Sequence, residues 1–523
     1  MKKVILKGPI LTRSGYGEQA RFALRSLKSR KDLYDIYIQP LTWGDTSWLS
    51  DVSEERVWID QTIEKTISYI QQGGHFDLSL QVTIPNEFEH LAPVNIGYTA
   101  GIETTKVAPE WLERGNAMSK LIVVSNHSKN VFLNTTAHAH NKETNQTTDS
   151  YKLMVPIDVV NYPAKKFENL PEIDLDLDYD FNFLLVSQMG ARKNIPNTIK
   201  WFVEEFKNDE VGLIVKTNIA KNSLIDRRHT EKQLQDIVNS NEEYKDRKCK
   251  VYLLHGDLSD EEMHSIYKHN KVKAFVSLPH GEGYGLPLFE AAYSGIPVVT
   301  VGWSGQLDFL MDKDGNEFFY NVAFDLQPVQ KEAEWKGVVE PGSMWAYARE
   351  TSAKEKMREC YNDISSEKKM TVCEYAMELQ DRFNKEKLYA DFVNSVESLK
   401  ENDESKKIVY CGQFMDLSGY GIAARKYLKI LDPVVQKNNI NFKIYSTLGA
   451  VLDMSALSAE ERELINKYSF DSNEEINDFI KDSDYECIWH MPTPMALMAD
   501  ERFKTPKNIE TPVLMNIICS SER

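Results

Sequence analysis

The sequence predicts an α/β fold of doubly wound parallel sheets, on three observations. Short β-branched runs alternate with longer amphipathic stretches, as residues 3–6, 18–27 and 35–38 show, and that alternation is the mark of a parallel sheet covered by helices. The alternation starts afresh after an acidic stretch at residues 172–180, which predicts a second sheet of the same kind. Finally, 523 residues exceed what one hydrophobic core usually serves.

The first domain is expected over residues 1–170. Its later strands fall at 76–81, 94–98, 121–124 and 152–155, and the polar stretch 135–150 reads as an exposed loop. The second domain, 178–350, has strands at 181–187, 212–216, 251–255, 274–278 and 297–301, each pair separated by a helical stretch. Strong helix formers with many charges occupy 351–400 and predict helices that close the two-domain unit. The charged run 401–407 is a linker. Beyond the linker the chain repeats itself. Leu417-Ser418-Gly419-Tyr420-Gly421 with Ala424-Arg425 restates Arg13-Ser14-Gly15-Tyr16-Gly17 with Ala20-Arg21 at a constant offset of 404 positions. Residues 511–522, ending on Glu522, resemble 92–103, ending on Glu103. Residues 406–523 therefore read as a partial second copy of the first domain that stops before its last strands.

Composition narrows the function classes. A chain 42% hydrophobic and 27% charged can build full cores and is neither disordered nor fibrous. A net charge of -17 argues against nucleic acid as the main partner, because that role needs a broad Lys/Arg footprint. The six cysteines are scattered without CxxC pairs, as in a reduced, cytoplasmic protein without a cysteine metal site. No run of about 18 apolar residues occurs, so the sequence predicts no integral membrane segment and leaves only peripheral membrane contact open.

The strongest local signal runs from Ser277 to Ala292. A strand ends near Leu278, a loop carrying Gly281, Gly283 and Gly285 comes next, and Pro287 sits where the first residue of the next helix should be, directly after Leu286. Loop and helix-end N–H groups that point at one place, together with the helix dipole, can hold a diphosphate. Glu282 and Glu290, with seven residues between them, can approach one ligand from two sides and accept hydrogen bonds from its hydroxyls. Arg192 and Lys193 lie in a turn directly after the first strand of the second domain, where cations can neutralise a diphosphate. In the first domain, Gly15, Tyr16 and Gly17 link a strand to a helix beginning near Glu18, and such a turn brings backbone close to a ligand.

The segment 280–290, with the later Trp303-Ser304-Gly305, resembles glycosyltransferase family 4, retaining enzymes of the GT-B fold whose donor signature is two glutamates seven residues apart. The resemblance covers about residues 4–400. It implies two Rossmann-like domains facing a cleft, the second binding a nucleoside-diphosphate sugar and the first an acceptor. By resemblance Glu282 would contact the donor sugar and Glu290 the ribose hydroxyls, while Gly285 and Leu286 would present N–H groups to the phosphates; Gly283 and Gly305 belong to the same donor site. Lys193 matches the family's lysine. Many members carry the arginine earlier, where this chain has Gln188, so its role falls to Arg192. The stretch around Glu103 is similar to the acceptor-side segment of one branch of the family and places Glu103 at the cleft. No metal and no cofactor beyond the sugar nucleotide are implied. The resemblance leaves glycan, lipid-linked and protein acceptors equally open, as it does the donor's base and sugar. A non-catalytic sugar-binding scaffold of the same fold, or a sugar-nucleotide epimerase, is the alternative.

Overall fold

The computed structural model describes residues 1–398 except 51, 142–145, 241, 364 and 365. Of the remainder it describes 407–415, 417, 419–437, 440–446, 456–470, 472–480 and 485–489. The chain divides into two compact units, Met1–Ser398 and Leu399–Arg523. Among the described residues no helix is long and apolar enough to cross a membrane.

In the first unit, β1 (Lys2–Gly8), β2 (Tyr34–Pro40), β3 (Leu78–Val82), β4 (Val94–Thr99) and β5 (Lys120–Val123) alternate with α1 (Gly15–Lys28), α2 (Glu54–Gln71), α3 (Pro109–Asn116) and α4 (Asn126–Asn134). A hairpin of β6 (Ala137–Asn141) and β7 (Gln146–Tyr151) precedes β8 (Ile157–Val159). The sheet order is β2-β1-β3-β4-β5-β8, all parallel, so helices cover both faces. That cover is why Val4, Ile5 and Leu6 form a continuous apolar run in place of an alternating one: all three are buried.

Two expectations need correcting here. Residues 135–150 are not simply a loop, because Ala137 pairs with Tyr151 and Asn141 with Gln146 across an antiparallel ladder. The last strand is Ile157–Val159, not 152–155. Leu153 is buried by packing into the core around Trp111, without ladder bonds, and Pro156 lies just after it.

The second sheet runs through β9 (Asn182–Val186), β10 (Gly212–Lys216), β11 (Lys250–Leu254), β12 (Val272–Ser277), β13 (Val298–Val301) and β14 (Tyr320–Val322). Between them lie α5 (Ile195–Phe206), α6 (Leu224–Val238), α7 (Asp260–Tyr267), α8 (Leu286–Ser294) and α9 (Leu307–Leu310). The order β11-β10-β9-β12-β13-β14 is that of a dinucleotide-binding sheet, with its switch point between β9 and β12. Its core is strongly aromatic, with Phe183, Phe202 and Phe206 all fully buried. A two-stranded ribbon, β15 (Phe324–Pro328) with β16 (Met344–Ala348), comes after it.

The helices α10 (Glu350–Asn362), α11 (Ser366–Arg382) and α12 (Lys385–Glu397) end the unit. Gln380 of α11 donates to the Tyr293 carbonyl of the second sheet's layer at 3.0 Å. Phe392 of α12 instead stacks edge-on against Phe22 of the first, centroids 5.4 Å apart. The chain thus crosses back, and both sheets are pinned by its end.

In the second unit, β17 (Lys407–Gly412), α13 (Gly419–Lys437), β18 (Phe442–Ser446), α14 (Ala459–Tyr468), α15 (Asn473–Ile480) and β19 (Tyr485–Trp489) succeed one another. The parallel order β18-β17-β19 is that of β2-β1-β3. Arg425 donates from Nη1 to the Phe414 carbonyl at 2.9 Å, and Arg21 to the Ile10 carbonyl at 3.0 Å, eleven residues back in each case. Residues 511–522, matched in sequence to 92–103, lie outside the described residues, as do 401–406 of the linker.

Candidate functional site

Doubly wound sheets bind ligands outside the carboxyl ends of their strands at the switch point. In the second sheet those ends are the exits of β9 and β12, and the two segments marked in the sequence leave from them. After β9, Ala191–Lys193 forms a 3-10 turn. Asn194 then adopts a left-handed conformation (φ 52°), which Asn tolerates better than most residues, and its Nδ2 donates to the Leu278 carbonyl at the end of β12. The His280 N–H donates to the Arg192 carbonyl at 2.8 Å. Two bonds therefore fix the cationic turn to the glycine loop.

Those bonds bring Arg192, Lys193 and Glu282 together. Lys193 Nζ lies 2.6 Å from Glu282 Oε1, and Arg192 Nη1 lies 2.9 Å from Oε2. Arg192 also reaches across the cleft to Glu103 of the first domain, at 3.2 Å. The Glu282 side chain is only 10% exposed. Burial works against its charge, yet Lys193 and Arg192 outweigh that and hold the carboxyl below its usual range. Burial and the neighbouring Arg192 push Lys193 down, and Arg192 is pushed up because Glu103 and Glu282 overcome its burial. Behind Glu282, Ser304 Oγ accepts from its N–H at 2.9 Å and donates to Gln306.

Gly285 caps α8 in a left-handed conformation (φ 94°), with Leu286 and Pro287 opening the helix. Pro287 is the second helical residue where the sequence suggested the first. Gly283 serves close approach: a Cβ there would lie 2.6 Å from the carbonyl of Ala100 in the first domain. Gly283→Ala is accordingly expected to force the domains apart and lower the melting temperature, through an overpacking cost of about 1–3 kcal/mol. Gly15→Ala, where a Cβ would meet nothing within 4 Å, is the control and should melt like the parent.

Glu290 lies one turn into α8 and accepts from the Tyr267 hydroxyl at 3.0 Å. Around it Lys165 pairs with Glu18 at 3.1 Å and with Asp260 at 2.7 Å, bridging the two domains. Burial raises the Glu290 carboxyl to about 7, with Asp260 and Glu18 adding to the rise against Lys165. A carboxyl raised on folding contributes stability below its unfolded value of about 4.3 and loses it as the pH climbs through 7. Glu290→Gln should therefore gain melting temperature relative to the parent at pH 8 and gain none at pH 4; an equal difference at both would contradict the burial.

A cleft of about 870 Å³ joins these groups. It is lined by Glu282, Gly283, Gly285, Leu286, Glu290, Arg192 and Lys193 from the second domain and by Gly15, Tyr16 and Glu103 from the first. Gly17 and Gly305 are not among its lining residues. Gly15, Tyr16 and Gly17 lie inside the first turn of α1, not before it, and a Cβ on Gly17 would meet the Thr12 carbonyl at 2.1 Å, so Gly17 serves packing within its own domain. Gly305 shapes the loop from behind, donating to the Glu282 carbonyl at 3.0 Å. Lys165, Glu18, Asp260 and the ribbon segment 329–343 went unseen in the sequence. His280 is structural: its ring stacks on Trp345 and Nδ1 meets the Ala346 carbonyl at 2.7 Å.

Two doubly wound domains facing one cleft make up the GT-B arrangement. No family model and no curated protein matches the chain. Among solved structures it is similar to a glycosyltransferase from Rickettsia africae, at 12% identity and a TM-score of 0.48 over 77% of this chain and 99% of that one. It is similar also to sucrose-phosphate synthase from Thermosynechococcus elongatus (12% identity, TM-score 0.48, 76% and 99%). Anabaena HepE, solved with UDP and glucose, shows 13% identity and a TM-score of 0.45 over 76% and 100%.

Proposed function

We propose that the chain is a retaining glycosyltransferase of the family 4 type, which moves a sugar from a nucleoside diphosphate to an acceptor hydroxyl. One observation carries the reading: Arg192, Lys193 and the amino end of α8 converge with Glu282 at the switch point of the second sheet. When the bond from the anomeric carbon to the diphosphate breaks, the electron pair leaves with the diphosphate. Two cations and a helix end beside the site would stabilise that charge, so the positive charge comes from the protein rather than from a metal. Glu282 orients a sugar hydroxyl, Glu290 the ribose, and the first domain presents the acceptor from the side of Glu103. The six cysteines, scattered without CxxC pairs, support a cytoplasmic setting. The strand order and the Arg425 bond support reading the second unit as another copy of the first domain.

The test is a melting screen of the full chain with UDP-, GDP- and ADP-sugars, and then donor hydrolysis with the sugar that binds. A donor at about 100 times its Kd should add about 2.7 kcal/mol of stability. Silence from every nucleotide, or binding without any turnover, would defeat the transferase reading.

A further inference from the structure

Among the described residues, three that are not glycine have a left-handed backbone: Asn194 (φ 52°), Asn222 (φ 55°) and Ser304 (φ 80°). Asparagine tolerates that region because its side chain can bond locally, whereas the Cβ of serine crowds the main chain there. A glycine would take the same turn freely. Ser304 is also buried, at 4% exposure. Backbone strain of this kind persists only where the surroundings hold it, and it gathers where geometry serves a site.

The surroundings of Ser304 are the glycine loop and the end of β13. Its Oγ accepts from the Glu282 N–H at 2.9 Å and donates to Gln306 Oε1 at 2.8 Å. The Gln306 amide is fixed in turn, because its Nε2 donates to the Val301 carbonyl at 3.0 Å and its side chain is fully buried. With its proton committed to Gln306, the hydroxyl presents a lone pair to Glu282 and cannot rotate away. The next residue completes the hold, since Gly305 donates its N–H to the Glu282 carbonyl at 3.0 Å. A Cβ on Gly305 would lie 2.8 Å from that carbonyl and 2.0 Å from the carbonyl of Gly283, so the two loops are pressed together. Both polar main-chain groups of Glu282 are therefore held by consecutive residues. The left-handed turn at Ser304 lets a hydroxyl and the following N–H face the same residue.

We propose that Ser304 is a positioning residue for sugar transfer, whose strained backbone fixes the main chain of Glu282 so that the carboxyl meets the donor sugar at one place. Pairing with Lys193 and Arg192 does not by itself achieve this, because long cationic side chains can follow a displaced carboxylate. The inference rests on the transferase reading, in which Glu282 orients a sugar hydroxyl. The nucleotide's phosphates are held in that reading by Arg192, Lys193 and the amino end of α8, which Ser304 does not touch.

The experiment compares the full chain with its Ser304→Ala and Ser304→Gly variants, using whichever of the UDP-, GDP- and ADP-sugars the parent hydrolyses. Both variants lose the hydroxyl, so kcat should fall about 10- to 100-fold in each while KM stays within about twofold of the parent. Affinity for the matching nucleoside diphosphate without its sugar should also stay within about twofold, which shows that the variants fold. Only alanine keeps the Cβ, so Ser304→Gly should melt about 2 °C above Ser304→Ala. An undiminished kcat in either variant overturns the proposal, as does a loss of nucleoside-diphosphate affinity large enough to account for the slower rate, or a glycine variant that melts no higher than the alanine one. If the parent hydrolyses no sugar nucleotide, the transferase reading fails first; if it does and the variants match it, only the role of Ser304 fails.

Discussion

Glu282→Gln should cost the protein about 2–3 kcal/mol at pH 7 and slow transfer about 10²- to 10³-fold. The stability loss comes from the carboxylate's place: it answers Lys193 at 2.6 Å and Arg192 at 2.9 Å in a setting where its own side chain is nearly shut off from water. The substituted amide keeps the shape and removes the charge, so two cations are left facing one another with only Glu103 to balance them. Because the partners are about a quarter exposed, the cost sits at or below the lower end for a buried pair. The pH dependence is fixed in sign. The Glu282 carboxyl is held below its ordinary value, so its contribution is complete above the unfolded value of about 4.3 and disappears as the pH falls through the folded one. Melting curves of parent and variant should thus separate at pH 7 and converge in acid. Added UDP should also rescue the variant more than it stabilises the parent, since its diphosphate supplies the missing negative charge. Equal gains from UDP in both proteins would show that the two cations do not meet the phosphates.

Arg192→Ala should weaken nucleoside-diphosphate binding about 100-fold, and Lys193→Ala by a similar factor, as loss of a charge-assisted contact to phosphate does. Isothermal titration with UDP or GDP would read this directly. The double variant should lose less than the product of the two factors, because both side chains share Glu282 and neighbouring sites do not add. Arg192→Lys should recover little. The guanidinium serves Glu103 and Glu282 through different nitrogens, and an ammonium offers a single point of charge in place of that fork. Tight binding retained in both single variants would remove the ionic centre from the donor site.

Much of the fold and the site was legible because period and spacing are local properties. Both sheets announce themselves through continuous apolar strands, and the glycine loop with Glu282 and Glu290 is contiguous in the chain. Arg192 and Lys193 could be placed because the exit of the first strand of a doubly wound sheet is a known ligand position. What escaped is non-local or unpatterned. Glu18, Lys165 and Asp260 look like ordinary surface charges until folding puts one ammonium between two carboxylates from different domains. The β6–β7 hairpin is polar along its length, so no alternation marks it. Residues 329–343 have no period at all, and nothing in their order says that Val338 buries itself in the other domain.

Arg192 has two acidic neighbours, one on its own domain and one on the opposite domain. A phosphate that draws the guanidinium toward itself must compete with Glu103 as well as with Glu282. On the proposed function, seating the first substrate and releasing the fastening that faces the second would therefore be one event. In a transferase of the proposed kind, this single side chain would give traffic through the cleft an order, with the nucleotide first and the partner molecule once Glu103 has been let go.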